Sequence, residues 1–262
     1  MMTIDLADVS LNWTDSGIGE GAPVVFIQSF GMDLSIWDKA LTRLPKGIRP
    51  IRFDLRGHGA SSCPKGPYSM GALVRDAEQL LDHLNLRDVM LVGLGLGGMI
   101  AQGLAVKRLD QVRALVLCNT AAKIGHAPHW QAMIDEVEAD GAAPLAERMM
   151  PLWFHRAAMR ENLHSSVLTT FKETSPQGLA GCLSALKGSD FYTPTSGLRL
   201  QTLALAGAED RMVPPDMTQE TGGLIPGSDY RLIRKSGHIS PLDQPEIFAQ
   251  HLTDFVQRTG HV

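Results

Sequence analysis

Residues 89–98 read VMLVGLGLGG, and this stretch decides the fold. Its first half is a continuous apolar run, which is typical of a strand buried in a parallel sheet. Its second half is a turn dense in glycine, and residues 99–105, MIAQGLA, continue as an apolar helix. A strand, a tight turn and a helix in direct succession predict one unit of an α/β sheet.

The glycine turn fits two motifs that imply different chemistry. Gly93, Gly95 and Gly97 match G-x-S-x-G, the strand–turn–helix that exposes a nucleophilic serine, except that glycine stands in the serine's place. Shifted to end on Gly98, the same turn matches G-x-G-x-x-G, the dinucleotide fingerprint. That fingerprint needs a carboxylate at the end of the next strand, which here ends in Asn119. The first motif is therefore favoured, and dinucleotide binding is a distant alternative.

The first half of the chain alternates between strand and helix signals. Apolar strands are predicted at 23–28, 48–54 and 114–118, and helices at 35–44 and 69–84. Apolar strands separated by helices predict a parallel sheet that is covered on both faces.

An insertion of about eighty residues, far more than one crossover helix needs, separates the strand at 114–118 from the next one at 201–206. It carries four helical patterns, punctuated by prolines, at 130–138, 145–154, 161–170 and 179–186. We predict that residues 123–189 form a helical lid, and that residues 1–122 and 190–262 form the core. A strand at 230–233 and a helix at 245–258 close that core.

Composition excludes several classes of partner. The net charge of -4 and the absence of a basic block argue against binding to nucleic acid or to an anionic membrane. No apolar run approaches the roughly 18 residues that span a bilayer. The three cysteines are widely spaced and the N-terminus lacks a signal-peptide pattern, so we expect a reduced, cytoplasmic protein without a metal site.

An acid and a histidine follow late strands of the predicted sheet. Asp210 comes after the first strand beyond the insertion, and His238 comes after the last strand. The order of turn, acid and histidine is that of the catalytic triads of α/β-hydrolases. In such a triad the acid fixes the imidazole tautomer, and the ring acts as general base and then as general acid.

The chain resembles the 3-oxoadipate enol-lactonases of the α/β-hydrolase fold over essentially its whole length. The matching segments are QSFGMDLSIW (28–37), FDLRGHG (53–59), GGMIAQ (97–102), NTAAKIG (119–125) and GHIS (237–240). The resemblance implies a mostly parallel eight-stranded sheet flanked by helices, with a helical lid inserted after strand 6. It also implies serine-catalysed opening of an enol-lactone ring in aromatic catabolism, without a cofactor, and a small ester or lactone as substrate.

The resemblance assigns roles by position. The oxyanion hole would be formed by the backbone N–H groups of Phe30 and Leu96, with Gln28 and Ser29 bracing the loop. Asp210 is favoured over its neighbour because it stands four residues before a proline, as in the family. Three lid aromatics, Trp130, Trp153 and Phe154, would line the pocket. The candidate anchors for a carboxylate-bearing substrate are His126, His129, His155 and Arg156.

Gly95 is the departure from the family pattern. Glycine at the turn removes the hydroxyl, so no acyl-enzyme can form there. One interpretation is a hydrolase inactivated by loss of its serine. A second is a weak hydrolase in which Asp210 and His238 activate a water molecule. A third is a non-catalytic protein that keeps the pocket and binds a small molecule.

Overall fold

The computed structural model describes residues 2–16 and 20–262. Eight strands make one sheet: β1 (Met2–Asp5), β2 (Ser10–Asp15), β3 (Ala22–Ile27), β4 (Ile48–Phe53), β5 (Val89–Leu94), β6 (Val112–Cys118), β7 (Gln201–Gly207) and β8 (Asp229–Ile233). Their order across the sheet is β1-β2-β4-β3-β5-β6-β7-β8. The two pairings made by β2 are antiparallel, and all the others are parallel.

Helices connect and cover the strands. A 3-10 turn (Leu34–Trp37) precedes α1 (Asp38–Leu41), and α2 (Met70–His83) and α3 (Leu96–Lys107) flank β5. Six helices lie between β6 and β7: α4 (Ala127–Asp140), α5 (Ala142–Trp153), α6 (Arg156–Arg160), α7 (Ser165–Glu173), α8 (Pro176–Lys187) and α9 (Tyr192–Ser196). The chain ends with α10 (Pro215–Gly223), α11 (Ser240–Asp243) and α12 (Pro245–Arg258).

The predicted fold class is confirmed: the sheet is mostly parallel, has eight strands and is flanked by helices. The residue pattern alone indicated six of the strands and missed β1 and β2. Three of the four residues of β1 are exposed, and β2 carries only two apolar side chains, Leu11 and Trp13. Neither has the continuous apolar run by which the buried parallel strands were found.

The helical insertion after β6 differs from its prediction in detail. The helix predicted at 161–170 begins only at Ser165, and the preceding α6 was not predicted. Asn162 has a φ of 56°, a left-handed conformation that interrupts the helix between the two. Pro151 lies inside α5, near its end, as it lies inside the helix predicted at 145–154. The boundary between core and lid stays a prediction.

Close packing explains the density of glycine after β5. A Cβ atom added to Gly97 would lie 2.0 Å from the carbonyl oxygen of Ile27, so the start of α3 sits directly against the end of β3. Gly95, just before α3, has a φ of 54°. These backbone requirements account for both glycines without a bound dinucleotide.

The core is centred on β5, of which all six residues are buried. Helix α3 is apolar on nearly every side because it packs against the sheet, α2 and α9. Within residues 2–16 and 20–262, no helix is long and apolar enough to cross a bilayer.

Candidate active site

The turn after β5 brings Gly95 to the centre of a cluster of polar groups. A Cβ atom added there would lie 2.9 Å from Nε2 of His238 and 2.6 Å from Oγ of Ser29. The chain therefore aims an imidazole nitrogen at the place where a side chain on this turn would begin.

The loops after β7 and β8 bring the predicted acid and histidine together. Oδ2 of Asp210 lies 2.8 Å from Nδ1 of His238, and both side chains are buried. Oδ1 of Asp210 accepts hydrogen bonds from the backbone N–H groups of Met212 and Val213, at 2.8 and 2.9 Å. The neighbouring Glu209 is exposed. The imidazole is thus held by a carboxylate that is itself fixed, with Nε2 facing the turn.

Asn119 supports this pair, a function that sequence reasoning missed. Its side-chain amide donates to Oδ2 of Asp210 at 3.0 Å, and its carbonyl oxygen accepts from Oγ of Ser240 at 2.7 Å. The residue has a φ of 47° at the end of β6. The available signal was a polar residue directly after a central strand. In the sequence, Asn119 counted only as a residue without the carboxylate that dinucleotide binding needs.

The predicted oxyanion residues lie at the same point. Phe30, Leu96, Gly95 and His238 share the wall of a small cavity with Ser29, Ile124, Leu186, Met212 and Val213. The gap that these side chains leave between them is narrower than a water molecule. The N–H of Leu96 donates to Oγ of Ser29 at 3.2 Å, so one predicted oxyanion donor is engaged by a side chain of the facing loop.

A buried carboxylate holds that loop. Oδ1 of Asp54 accepts from the N–H of Leu34 at 2.8 Å, and Oδ2 accepts from Asn12 at 2.7 Å and from the N–H of Ala60 at 2.9 Å. Burial raises the pKa of the Asp54 carboxyl, although these hydrogen bonds oppose the change. The segment that carries Phe30 is therefore tied to the end of β4.

Trp153 joins the helical insertion to the loop that carries His238. Its carbonyl oxygen accepts from the N–H of His238 at 2.7 Å, and its indole stacks on the imidazole with ring centres 5.9 Å apart. The ring also meets Phe30 edge-on at 5.5 Å. Trp130 meets Phe30 at 6.3 Å and donates its indole N–H to the carbonyl of Ile124. Neither indole is among the side chains at the wall of the cavity.

Gln28 and Phe154 stand apart from the cavity. Phe154 is buried and its ring packs against His164, with centres 6.1 Å apart. Gln28 is fully buried, and neither polar atom of its side chain finds a hydrogen-bond partner among the described residues. The structure thus gives Gln28 no side-chain bond with which to brace the loop.

The proposed carboxylate anchors are not gathered at the cavity. His126, His129 and Arg156 are exposed. His155 is buried and caps α6, accepting hydrogen bonds from the N–H groups of Ala157 and Ala158. In the described part of the chain, no three His, Cys, Asp or Glu side chains are placed to hold a metal ion.

Comparison with known proteins agrees with this geometry. The model of the alpha/beta hydrolase fold family matches residues 22–245. "3-oxoadipate enol-lactonase 2" of Acinetobacter baylyi is 31% identical over 258 residues, which is 98% of this chain and 96% of that protein.

Solved structures lead to the same conclusion. The enol-lactonase from Burkholderia xenovorans LB400 superposes with a TM-score of 0.94 at 29% identity, covering 98% of this chain and all of that one. A malate-bound thermophilic esterase from Thermogutta terrifontis superposes with a TM-score of 0.93 at 26% identity, covering both chains fully. The chain belongs to the α/β-hydrolase fold family of hydrolases and is similar to its 3-oxoadipate enol-lactonases.

Proposed function

We propose that this protein hydrolyses a small carboxylic ester or lactone at the cavity beside Gly95. The observation that carries the proposal is the fixed Asp210–His238 pair, whose Nε2 lies 2.9 Å from the Cβ position of the turn residue. The N–H of Leu96, at the start of α3, lies at the same cavity. A base and a backbone donor are therefore both directed at one point, as acyl transfer requires.

The roles follow from the hydrogen bonds. Oδ2 of Asp210 accepts from the N–H at Nδ1 of His238, so Nε2 is left as the proton acceptor for an attacking hydroxyl group. The N–H groups of Phe30 and Leu96 stabilise the oxyanion that forms on the carbonyl oxygen, worth about 3 kcal/mol for one such donor. His238 then passes the proton to the leaving oxygen.

The substrate we propose is an enol-lactone with a carboxylate. Two of the similar proteins named above are enol-lactonases, and the malate in the third is a dicarboxylate. The predicted carboxylate anchors His126, His129 and Arg156 are exposed, and we assign none of them to the substrate's carboxylate. We therefore propose 3-oxoadipate enol-lactone as the substrate to test first.

The experiment places a serine at position 95 of the turn. A Cβ at position 95 would meet Oγ of Ser29 at 2.6 Å, so Gly95→Ser is made in a Ser29→Ala background, where that clash is absent. We expect the double variant to hydrolyse p-nitrophenyl acetate or the enol-lactone at least about 10³-fold faster than Ser29→Ala alone, given what a nucleophile contributes.

Adding His238→Ala to the double variant provides the control, and this should abolish the gain. If the double variant folds but gains nothing over Ser29→Ala, the site is not a hydrolase centre. The alternative is a protein that only binds a small molecule, and the glycine at position 95 favours it. Absence of a gain in the double variant would support this alternative.

A further inference from the structure

The side chain of Ser29 occupies the space that glycine leaves at the turn. Its Oγ lies 2.6 Å from the Cβ position of Gly95, and its Cβ lies 3.1 Å from the same point. Ser29 is 1% exposed, so this hydroxyl is enclosed in the cavity and not in solvent. A hydroxyl from a different element of the fold therefore lies beside the place where the family's nucleophile would be.

The hydroxyl of Ser29 lies beside the predicted oxyanion donor. Oγ of Ser29 accepts from the N–H of Leu96 at 3.2 Å. In a tetrahedral adduct the attacking oxygen and the oxyanion are bonded to one carbon, so a donor that binds the oxyanion lies close to both. Attack from Ser29 would place the new oxyanion within reach of that same N–H.

The general base is also in place. Nε2 of His238 lies 2.9 Å and Oγ of Ser29 lies 2.6 Å from one shared point, so their separation is at most the sum of these distances. Nδ1 is committed to Asp210, which leaves Nε2 free to accept the serine proton. Rotation about χ1 of Ser29 changes the separation, and catalytic hydrogen bonds commonly close only when substrate binds.

A water molecule is the competing nucleophile. The gap between these side chains is narrower than a water molecule, so the site has to open for the substrate and for the water that later hydrolyses the acyl ester. A buried water needs room and two or more polar partners. The hydroxyl of Ser29, in contrast, is held at the site by the chain itself and already accepts from the N–H of Leu96.

We propose that Ser29 is the nucleophile of this enzyme and replaces the serine missing from the turn. The proposal rests on the hydrolase function proposed above. Oγ of Ser29 attacks the carbonyl carbon while its proton passes to Nε2 of His238. The bond from that carbon to the leaving oxygen breaks, and this oxygen takes the proton from His238. Water then attacks the acyl-Ser29 ester, gives one proton to His238 and releases the acid, and the proton returns to Oγ.

The test combines covalent labelling with rates. The unchanged protein is treated with a fluorophosphonate, and its peptides are mapped by mass spectrometry. We expect a stoichiometric label on Ser29 that depends on His238, and none on a Ser29→Ala variant. Ser29→Ala should also lower p-nitrophenyl acetate hydrolysis at least about 10³-fold. The matched control is Ser196→Ala, at an exposed serine of α9, which should keep both label and rate.

A Ser29→Cys variant keeps the side chain's size in case alanine prevents folding. It should lose the fluorophosphonate label and become sensitive to iodoacetamide at position 29. The proposal is overturned if Ser29 stays unlabelled, or if Ser29→Ala hydrolyses as fast as or faster than the parent, the result expected if widening the cavity admits water. The gain from Gly95→Ser in the Ser29→Ala background is independent of this outcome, so the two proposals fail separately.

Discussion

At the scale of the residue, the backbone conformation at position 95 favours glycine, whereas nucleophilic catalysis there requires a side chain. Its φ of 54° is favourable for glycine and costly for a residue with a side chain. Hydrolases of this fold accept that cost to expose their serine on a strained turn. Here glycine relieves the strain, and the structure places the hydroxyl of Ser29 beside the turn instead.

Restoring a Cβ should therefore cost stability. We expect Gly95→Ala to lower the free energy of unfolding by at least about 1 kcal/mol, because of its positive φ and the 2.6 Å contact with Oγ of Ser29. Urea unfolding measures the change. Gly223→Ala, in α10 with no atom within 4 Å of the added Cβ, is the control and should be neutral or stabilising. Equal losses in the two variants would contradict the account.

Sequence reasoning reached part of the site because strand ends carry its residues. Asp210 and His238 follow β7 and β8, so their meeting could be predicted from the pattern alone. The contact between Ser29 and Leu96 could not, because it joins residues 67 apart and depends on a missing side chain. Asn119 was missed for a similar reason, since its partners lie on β7 and β8 loops far along the chain.

At the scale of the element, the end of α5 is bonded to the loops that carry Asp210 and His238. The carbonyl of Trp153 accepts from the N–H of His238, and the carbonyl of Leu152 accepts from the N–H of Arg211. Arg211 directly follows Asp210. The helical insertion is thus bonded to the acid's loop and to the histidine's loop, and not merely laid over them.

Trp153 should consequently affect catalysis beyond its contribution to stability. We expect Trp153→Phe to destabilise the protein by about 1–3 kcal/mol and to lower kcat at least about tenfold, because the ring that stacks on His238 shrinks. Trp37→Phe removes the same atoms from another buried tryptophan, which packs on Phe26 and Phe248. Chemical unfolding and steady-state kinetics on both variants give the comparison. A matching loss of kcat in Trp37→Phe would show that only stability was measured.

The elements that could be predicted from the sequence are those with a clear hydrophobic pattern, either a continuous apolar run or apolar residues at helical spacing. The fully buried β5 and the one-faced helix α2 were found with nearly their observed bounds. Strand β1 escaped because it is an edge strand with three of its four residues exposed, and β2 escaped because it mixes polar with apolar residues. Helix α6 escaped because five residues are too few to show a helical period.

At the scale of the whole molecule, one buried acid links stability to pH. Oδ2 of Asp243, in α11, accepts from the N–H of Gly237 at 2.7 Å, next to His238. Burial raises the pKa of this carboxyl to about 7, with the charge of Asp210 adding to the effect. Between pH 3.8 and about pH 7, the Asp243 carboxyl therefore keeps its proton in the folded protein but has lost it in the unfolded chain.

The sign of the pH dependence follows. Because the pKa of this carboxyl is higher in the folded state than in the unfolded state, its contribution to stability is complete below the unfolded pKa. That contribution is lost as the pH rises towards 7. Asp243→Asn can keep an acceptor for Gly237 and carries no charge. We expect the Tm of the variant minus that of the parent to rise by at least about 2 °C between pH 5 and pH 8. A difference that stays constant or falls, measured by calorimetry, would contradict this reading of Asp243.

The central claim is that the Asp210–His238 pair makes this fold a hydrolase of esters or lactones. The most direct measurement is the initial rate of 3-oxoadipate enol-lactone opening and of p-nitrophenyl acetate hydrolysis by three proteins: the unchanged chain, His238→Ala and Asp210→Asn. We predict a rate above background for the unchanged chain. His238→Ala should fall to background, and Asp210→Asn should fall less completely and keep a rate above background, because it disturbs the tautomer without removing the base. Equal rates in the three folded proteins would contradict the account.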